Sequence, residues 1–145
     1  MSDGERAPRA TGGCLCGAVR YEVRGPLRDV VLCHCARCRR IHGHVAAYAA
    51  CLRDHLALVD ERGLRWYETE DRALGFCMRC GASLFWSAEG RDTMSVAAGS
   101  IDPPTGLETI AQIHVGHRGD YYEVCGPGVR HDAGLPAVDR RAAER

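Results

Sequence analysis

Three cysteines fall close together in Cys33-His34-Cys35-Ala36-Arg37-Cys38. Thiolates crowded this tightly repel unless a disulfide or a cation neutralises them. Three thiols cannot all pair with one another, so at least one needs a distant partner or a metal. A soft tetrahedral cation such as Zn²⁺ takes three thiolates at about 2.3 Å each. In an extended segment residues i and i+2 share a face, so Cys33 and Cys35 can reach one ion, and Cys38 follows one turn later. Three local ligands leave a fourth position open, the arrangement of catalytic zinc. The same triplet would instead be a closed structural site if a donor such as His34, His42 or His44 filled that position.

Two further pairs occur, Cys14/Cys16 inside Gly13-Cys14-Leu15-Cys16-Gly17 and Cys77/Cys80 inside Cys77-Met78-Arg79-Cys80-Gly81. Glycines beside such cysteines let the backbone turn tightly around an ion. The simplest partition is four plus three: the two pairs meet in a closed four-thiolate site, and the triplet is the open one. Cys51 and Cys125 stand alone and are expected to be small buried hydrophobes.

A zinc with three thiolates carries a formal charge of −1 and is a poor Lewis acid, so it should acidify water less than neutral-ligand sites do. A soft fourth ligand suits it better, and a substrate thiol is the obvious one. Zinc binding would deprotonate that thiol at neutral pH. The thiolate could add to an electrophile such as formaldehyde, and the reverse step would cleave a carbon–sulfur bond. Arg37, Arg39, Arg40, His42 and His44 make the neighbourhood basic. The three arginines are candidate partners for the carboxylates of a glutathione-like thiol.

Composition sets the limits on these readings. A chain of 145 residues predicts one domain with its own core. Lys+Arg and Asp+Glu are both 19, so no global field attracts nucleic acid or an anionic membrane, and neither is expected as a partner. No apolar run approaches the length of a membrane helix. The polar start, Met1-Ser2-Asp3-Gly4-Glu5-Arg6, lacks a secretory apolar core, which predicts a cytoplasmic protein. Nine cysteines in such a compartment argue for metal rather than disulfides, and the odd count agrees.

The elements that must position the cysteines read as strands. Val19, Tyr21 and Val23 alternate with Arg20, Glu22 and Arg24. Asp29–Leu32 delivers the chain to Cys33, and Arg37–His42 suits one or two helical turns. Further strands are expected at Val45–Leu52, Leu56–Val59, Leu64–Tyr67, Leu74–Phe76, Ser83–Trp86, Thr93–Ala98, Ile110–Val115 and Tyr121–Val124. Short strands between turn signals with little helical periodicity mean a mainly β domain. Residues 1–12 read as a flexible leader, 13–136 as the domain and 137–145 as a solvated tail.

Taken together, Gly13-Cys14-Leu15-Cys16-Gly17-Ala18-Val19, Cys33-His34-Cys35-Ala36-Arg37-Cys38-Arg39-Arg40 and Phe76-Cys77-Met78-Arg79-Cys80-Gly81 resemble the glutathione-dependent formaldehyde-activating enzyme family, which includes centromere protein V. Weaker likeness continues through Ala98-Gly99-Ser100-Ile101-Asp102 and Gly134-Leu135-Pro136, so it spans roughly residues 13 to 136. The resemblance implies a β-tent of twisted antiparallel sheets with zinc knuckles, two zinc ions per chain and carbon–sulfur lyase activity. It implies that Cys14, Cys16, Cys77 and Cys80 hold a structural zinc, and Cys33, Cys35 and Cys38 a catalytic one. Two alternatives stand beside it: an interaction protein whose zincs are both structural, and a thiol-redox enzyme using Cys51 or Cys125 as nucleophile.

Overall fold

The computed structural model describes residues 7–136. The remainder of the expected leader, residues 1–6, and the expected tail, 137–145, lie outside the described residues. Among these residues eleven strands and one α-helix, besides three short 3-10 turns, follow in the order β1 (Ala10–Gly13), β2 (Arg20–Val23), β3 (Arg28–Cys33), α1 (Ala36–His42), β4 (Ala46–Leu52), β5 (Leu56–Asp60), β6 (Leu64–Glu68), β7 (Arg72–Cys77), β8 (Ser83–Ala88), β9 (Thr93–Ala97), β10 (Thr109–Ile113) and β11 (Val129–Arg130). The mainly β architecture expected from the sequence is therefore present. A three-stranded sheet runs β1-β2-β5, and an eight-stranded sheet runs β11-β10-β3-β4-β9-β8-β7-β6. Most pairs are antiparallel, but β10 lies parallel to both β3 and β11.

Strand pleating sorts the large sheet into two faces, because residues paired directly across neighbouring strands point the same way. On one face Ala49 pairs with Val96 and Val96 with Phe85, and all three are buried in the main core. Tyr21 and Val23 of β2 pack onto this face from the small sheet. The Tyr21 ring meets Phe85 edge-to-face at 5.2 Å, and its hydroxyl shares a 2.6 Å hydrogen bond with Ser100 Oγ. Burial pushes the Tyr21 phenol up to about 12. On the opposite face a transverse row runs Arg28–Ala50–Ser95–Trp86–Leu74 across β3, β4, β9, β8 and β7. That second face carries the candidate site.

Two sequence expectations change here. Residues 10–12, read as leader, belong to β1, which pairs with β2 from Ala10↔Val23 to Gly13↔Arg20. Gly12 is needed in it, since a Cβ there would lie 2.3 Å from the Tyr21 hydroxyl oxygen. Tyr121–Val124 is not a strand. Its two tyrosines instead bond histidines of the site region: Tyr122 Oη lies 2.8 Å from His34 Nδ1, and Tyr121 Oη lies 2.7 Å from His44 Nδ1. The last strand is Val129–Arg130.

Phe85 joins the two sheets through Tyr21 and is 1% exposed. Replacing Phe85→Ala should therefore cost about 3–5 kcal/mol, read as a lowered guanidinium midpoint at fixed zinc concentration. A loss below about 1 kcal/mol would show that the sheets are not joined through this ring.

Candidate metal centres

Cys14 and Cys16 sit on the β1–β2 loop, where Gly17 turns the chain at φ 84°. The backbone N–H of Val19 donates to Cys14 Sγ at 3.2 Å. Cys77 ends β7, and Cys80 follows in a tight turn closed by the Gly81 N–H donating to the Cys77 carbonyl at 2.8 Å, with Gly81 at φ 79°. Gly63 closes against this turn, since a Cβ there would lie 2.7 Å from Cys77 Sγ. The four sulfurs lie within 4.8 Å of one another, with Cys14–Cys16 and Cys16–Cys77 separations of 3.7 Å. A tetrahedral zinc with bonds of about 2.3 Å requires sulfur–sulfur edges of about 3.8 Å. The donor set and its spacing therefore fit a tetrahedral, four-coordinate Zn²⁺. The Ala82 backbone N–H leads the causes that hold the Cys80 thiol down at about 6, the direction a metal-binding thiolate requires.

The triplet is built differently. Cys33 ends β3, Cys35 caps α1, and Cys38 lies in the helix's first turn. The Cys38 backbone N–H donates to Cys35 Sγ at 3.3 Å, so the thiol does the work of an N-cap side chain. Gly43 closes the other end at φ 77°, its N–H donating to the Arg39 carbonyl. The three sulfurs lie within 4.8 Å of one another. A hydrogen bond with Cys38 pulls the Cys33 thiol down to about 6 and pushes Cys38 well above the usual thiol range. One thiol of the set is thus already disposed to be a thiolate. Among the described residues no fourth Cys, His, Asp or Glu donor joins the three within that distance.

The histidines considered as fourth ligands are occupied elsewhere. His34 is buried, with Nδ1 on Tyr122 Oη and Nε2 on Gln112 Oε1, each at 2.8 Å. The Gln112 amide donates to the Cys125 and Pro127 carbonyls, so its Oε1 accepts and His34 Nε2 carries the proton. His42 Nε2 lies 2.9 Å from Tyr48 Oη. His44 bonds Tyr121.

A cavity of about 240 Å³ opens beside the triplet, on the sheet face that carries the transverse row. Cys33, Cys35 and Cys38 form one end of its wall. Of the three arginines expected to meet substrate, only Arg37 lines it. Arg39 instead reaches the His117 carbonyl at 3.4 Å, and Arg40 is exposed. Both stand in the last turn of α1, where cations complement the carbonyl end of a helix. Four wall residues carried no sequence signal: Arg28, Arg72, Arg91 and His114. They come from separate segments, and only sheet register brings them to one cavity. His114 also has a left-handed backbone at φ 54°, a strained conformation that often marks functional positions.

The two single cysteines separate. Cys51 is buried, and burial pushes its thiol up to about 12, so it is no nucleophile. Cys125, expected to be buried, is exposed. The Ala98–Ser100 turn proves structural, through Ser100 and Tyr21, while Gly134 and Leu135 wall the cavity. Among the described residues no helix is long and apolar enough to cross a membrane.

The two centres bear on stability differently. The four-cysteine cluster links the small sheet's loop to the end of β7, joining Cys16 and Cys77, which are 61 positions apart in sequence. The triplet is local. Cys80→Ser should therefore lower the thermal midpoint far more than Cys38→Ser, because a metal holding distant segments contributes folding free energy directly. Zinc analysis of chelator-free protein should give two equivalents for the wild type and one for each variant. Equal thermal losses would mean that both centres are structural.

No curated protein matches the chain. Among solved structures, a crystal structure of a Rhodobacter sphaeroides protein is similar, with 25% identity and a TM-score of 0.55. The match covers 68% of this chain and 96% of that one. The family model described as glutathione-dependent formaldehyde-activating enzyme matches residues 9–117, which contain all seven clustered cysteines. With that match and with the cysteines gathered as the motifs require, the chain belongs to the glutathione-dependent formaldehyde-activating enzyme family.

Proposed function

We propose that the protein is a zinc-dependent carbon–sulfur lyase-type enzyme with two zinc ions per chain. It activates a small glutathione-like thiol at Cys33, Cys35 and Cys38 for addition to, or release from, an aldehyde such as formaldehyde. The observation that carries this reading is the cavity walled at one end by three thiols without a fourth protein donor among the described residues. A closed structural site would have no use for such an opening. Cys14, Cys16, Cys77 and Cys80 would hold the structural ion.

Zinc bound by the triplet would supply a soft cation that favours the deprotonated form of an incoming thiol. The chain's own groups manage the remaining charge. The substrate sulfur attacks the carbonyl carbon, the carbon–sulfur bond forms, and the carbonyl π pair moves to oxygen. That oxygen needs a proton. Tyr48 lies in the cavity wall, and burial holds its phenol above its usual range, so Oη is protonated at neutral pH. Its 2.9 Å hydrogen bond to His42 Nε2 couples it to a ring that burial keeps neutral. Tyr48 Oη can hand its proton to the oxygen and recover one from solvent, the source that received the thiol's proton, relayed by His42. The reverse sequence removes that proton and breaks the carbon–sulfur bond. His34, locked between Gln112 and Tyr122, keeps Cys33 and Cys35 in place.

Glutathione should bind the zinc-loaded protein and release about one proton per site at neutral pH, because a thiol becomes a thiolate. Calorimetry in buffers of different ionisation enthalpy counts that proton. Cys35→Ser should abolish both the binding and the thiol–aldehyde addition. Binding without proton release, or binding that survives Cys35→Ser, would overturn the reading in favour of a zinc-stabilised interaction protein.

A further inference from the structure

The cavity has a second end with its own chemistry. Arg28 opens β3, the strand that Cys33 closes, and both residues line the same space. Five residues of extended chain put their Cα atoms roughly 16 Å apart. Arg28 is 7% exposed, which is rare for a guanidinium. Its only described hydrogen bond is from Nη1 to the backbone carbonyl of its neighbour Asp29, at 2.7 Å. The ion pairs of the described residues are Arg20–Asp102, Arg24–Glu22, Arg62–Asp60 and Arg72–Asp71, and none involves Arg28.

A buried charge that forms no ion pair is costly and is ordinarily compensated by a partner; the charge of the adjacent Asp29 offsets only part of that cost. Here burial has already pulled the guanidinium down to about 10, which still leaves it charged at neutral pH. The open side is the cavity, and more cationic groups stand in the same wall. Trp86, in the same transverse row as Arg28, has the Arg72 and Arg91 guanidinium carbons over its ring, 5.5 and 5.4 Å from the ring centre. Arg72 Nε is buried with no hydrogen-bond partner. Among the described wall residues none is an Asp or Glu.

We propose that Arg28, assisted by Arg72 and Arg91, is the receptor for an oxyanion on the substrate, a carboxylate or a phosphate, and so determines which thiols the enzyme accepts. This rests on the thiol-activating reading above. The receptor sits a strand's length from the triplet, so it selects thiols whose anionic group lies several bonds from sulfur. A guanidinium holds either oxyanion through paired N–H donors and neutralises its own charge in doing so. Arg39 and Arg40, next to the triplet in sequence, do not line the cavity and take no part in this selection.

The test compares ligands on the zinc-loaded full chain and on Arg28→Met, which keeps the bulk of the side chain and removes its charge. Zinc content and thermal midpoint confirm folding of the variant. Glutathione supplies carboxylates, phosphopantetheine a phosphate, and 2-mercaptoethanol neither. Arg28→Met should weaken the oxyanion-bearing thiol that the receptor accepts roughly 10- to 100-fold and leave 2-mercaptoethanol unchanged. Equal losses for charged and neutral thiols, or no loss for either charged thiol, would overturn the receptor. If Arg28→Met does not fold, the wild type decides through ligand chemistry: glutathione diethyl ester should bind weakly against glutathione, and equal binding of the two, with no preference for phosphopantetheine over pantetheine, refutes the proposal. S-methylglutathione separates this proposal from the thiol reading. It keeps the carboxylates and cannot become a thiolate. If free thiols show no proton release but S-methylglutathione binds the wild type and not Arg28→Met, the receptor stands and the thiol reading falls. If S-methylglutathione binds both proteins equally while the free thiols bind with proton release, the receptor falls and the thiol reading stands.

Discussion

Sulfur crowding is the constraint on which the structure turns. Seven thiols gather into two clusters, each with its sulfurs within 4.8 Å. Such packing is stable only where a cation takes up the negative charge or thiols share protons. The four-sulfur cluster spends this constraint on architecture. It ties the β1–β2 loop of the small sheet to the end of β7 in the large sheet, and Gly63 and Gly81 admit the backbone that closely. Around it, Tyr21, Phe85 and Val96 fill the space between the sheets. A metal held there and the core would brace the same junction from two sides.

The three-sulfur cluster applies the same chemistry to an opening. Its ligand segment needs no distant partner, because the strand end, the N-cap and the first helical turn already aim three thiols at one point. The neighbours that could have closed it are committed to other bonds. His34 is pinned by Gln112 and Tyr122, His42 by Tyr48, and His44 by Tyr121. Each of those bonds ties a ring nitrogen to a partner other than the three thiols and stiffens the wall. The cavity beyond is lined by apolar residues such as Leu74 and Trp86 and by the cations Arg28, Arg72 and Arg91.

Pleating connects these functions. One face of the large sheet is core and the other is cavity, and the alternation along β4 and β9 assigns Ala49 and Val96 to the first and Ala50 and Ser95 to the second. A slip of one residue in the β4–β9 register would exchange these sets. It would bury Ser95 in the core and expose Val96. Folding of the core and construction of the cavity are therefore the same event.

The cysteine spacings alone were enough to point to metal, to the partition into four and three, and to the family, because ligand chemistry acts over two or three residues and leaves its mark locally. Alternation in Val19–Val23 and in the later apolar runs likewise foretold most strands, since period-two burial is a local property. The transverse row of Arg28, Trp86 and Leu74 was not legible, because its members lie far apart in sequence and meet only through pairing of five strands. Arg39 and Arg40 misled for the complementary reason: nearness to Cys38 along the chain is not nearness to the cavity, and the helix turns them away from its wall. Tyr121–Val124 looked like a strand because tyrosine and valine favour one, yet bonds from its two rings to His44 and His34 left it without a ladder. What the sequence determined by itself is the set of thiols that gather into clusters able to hold a metal. What only the tertiary structure decided is where the cavity opens and which cations face it, since long-range strand register sets both.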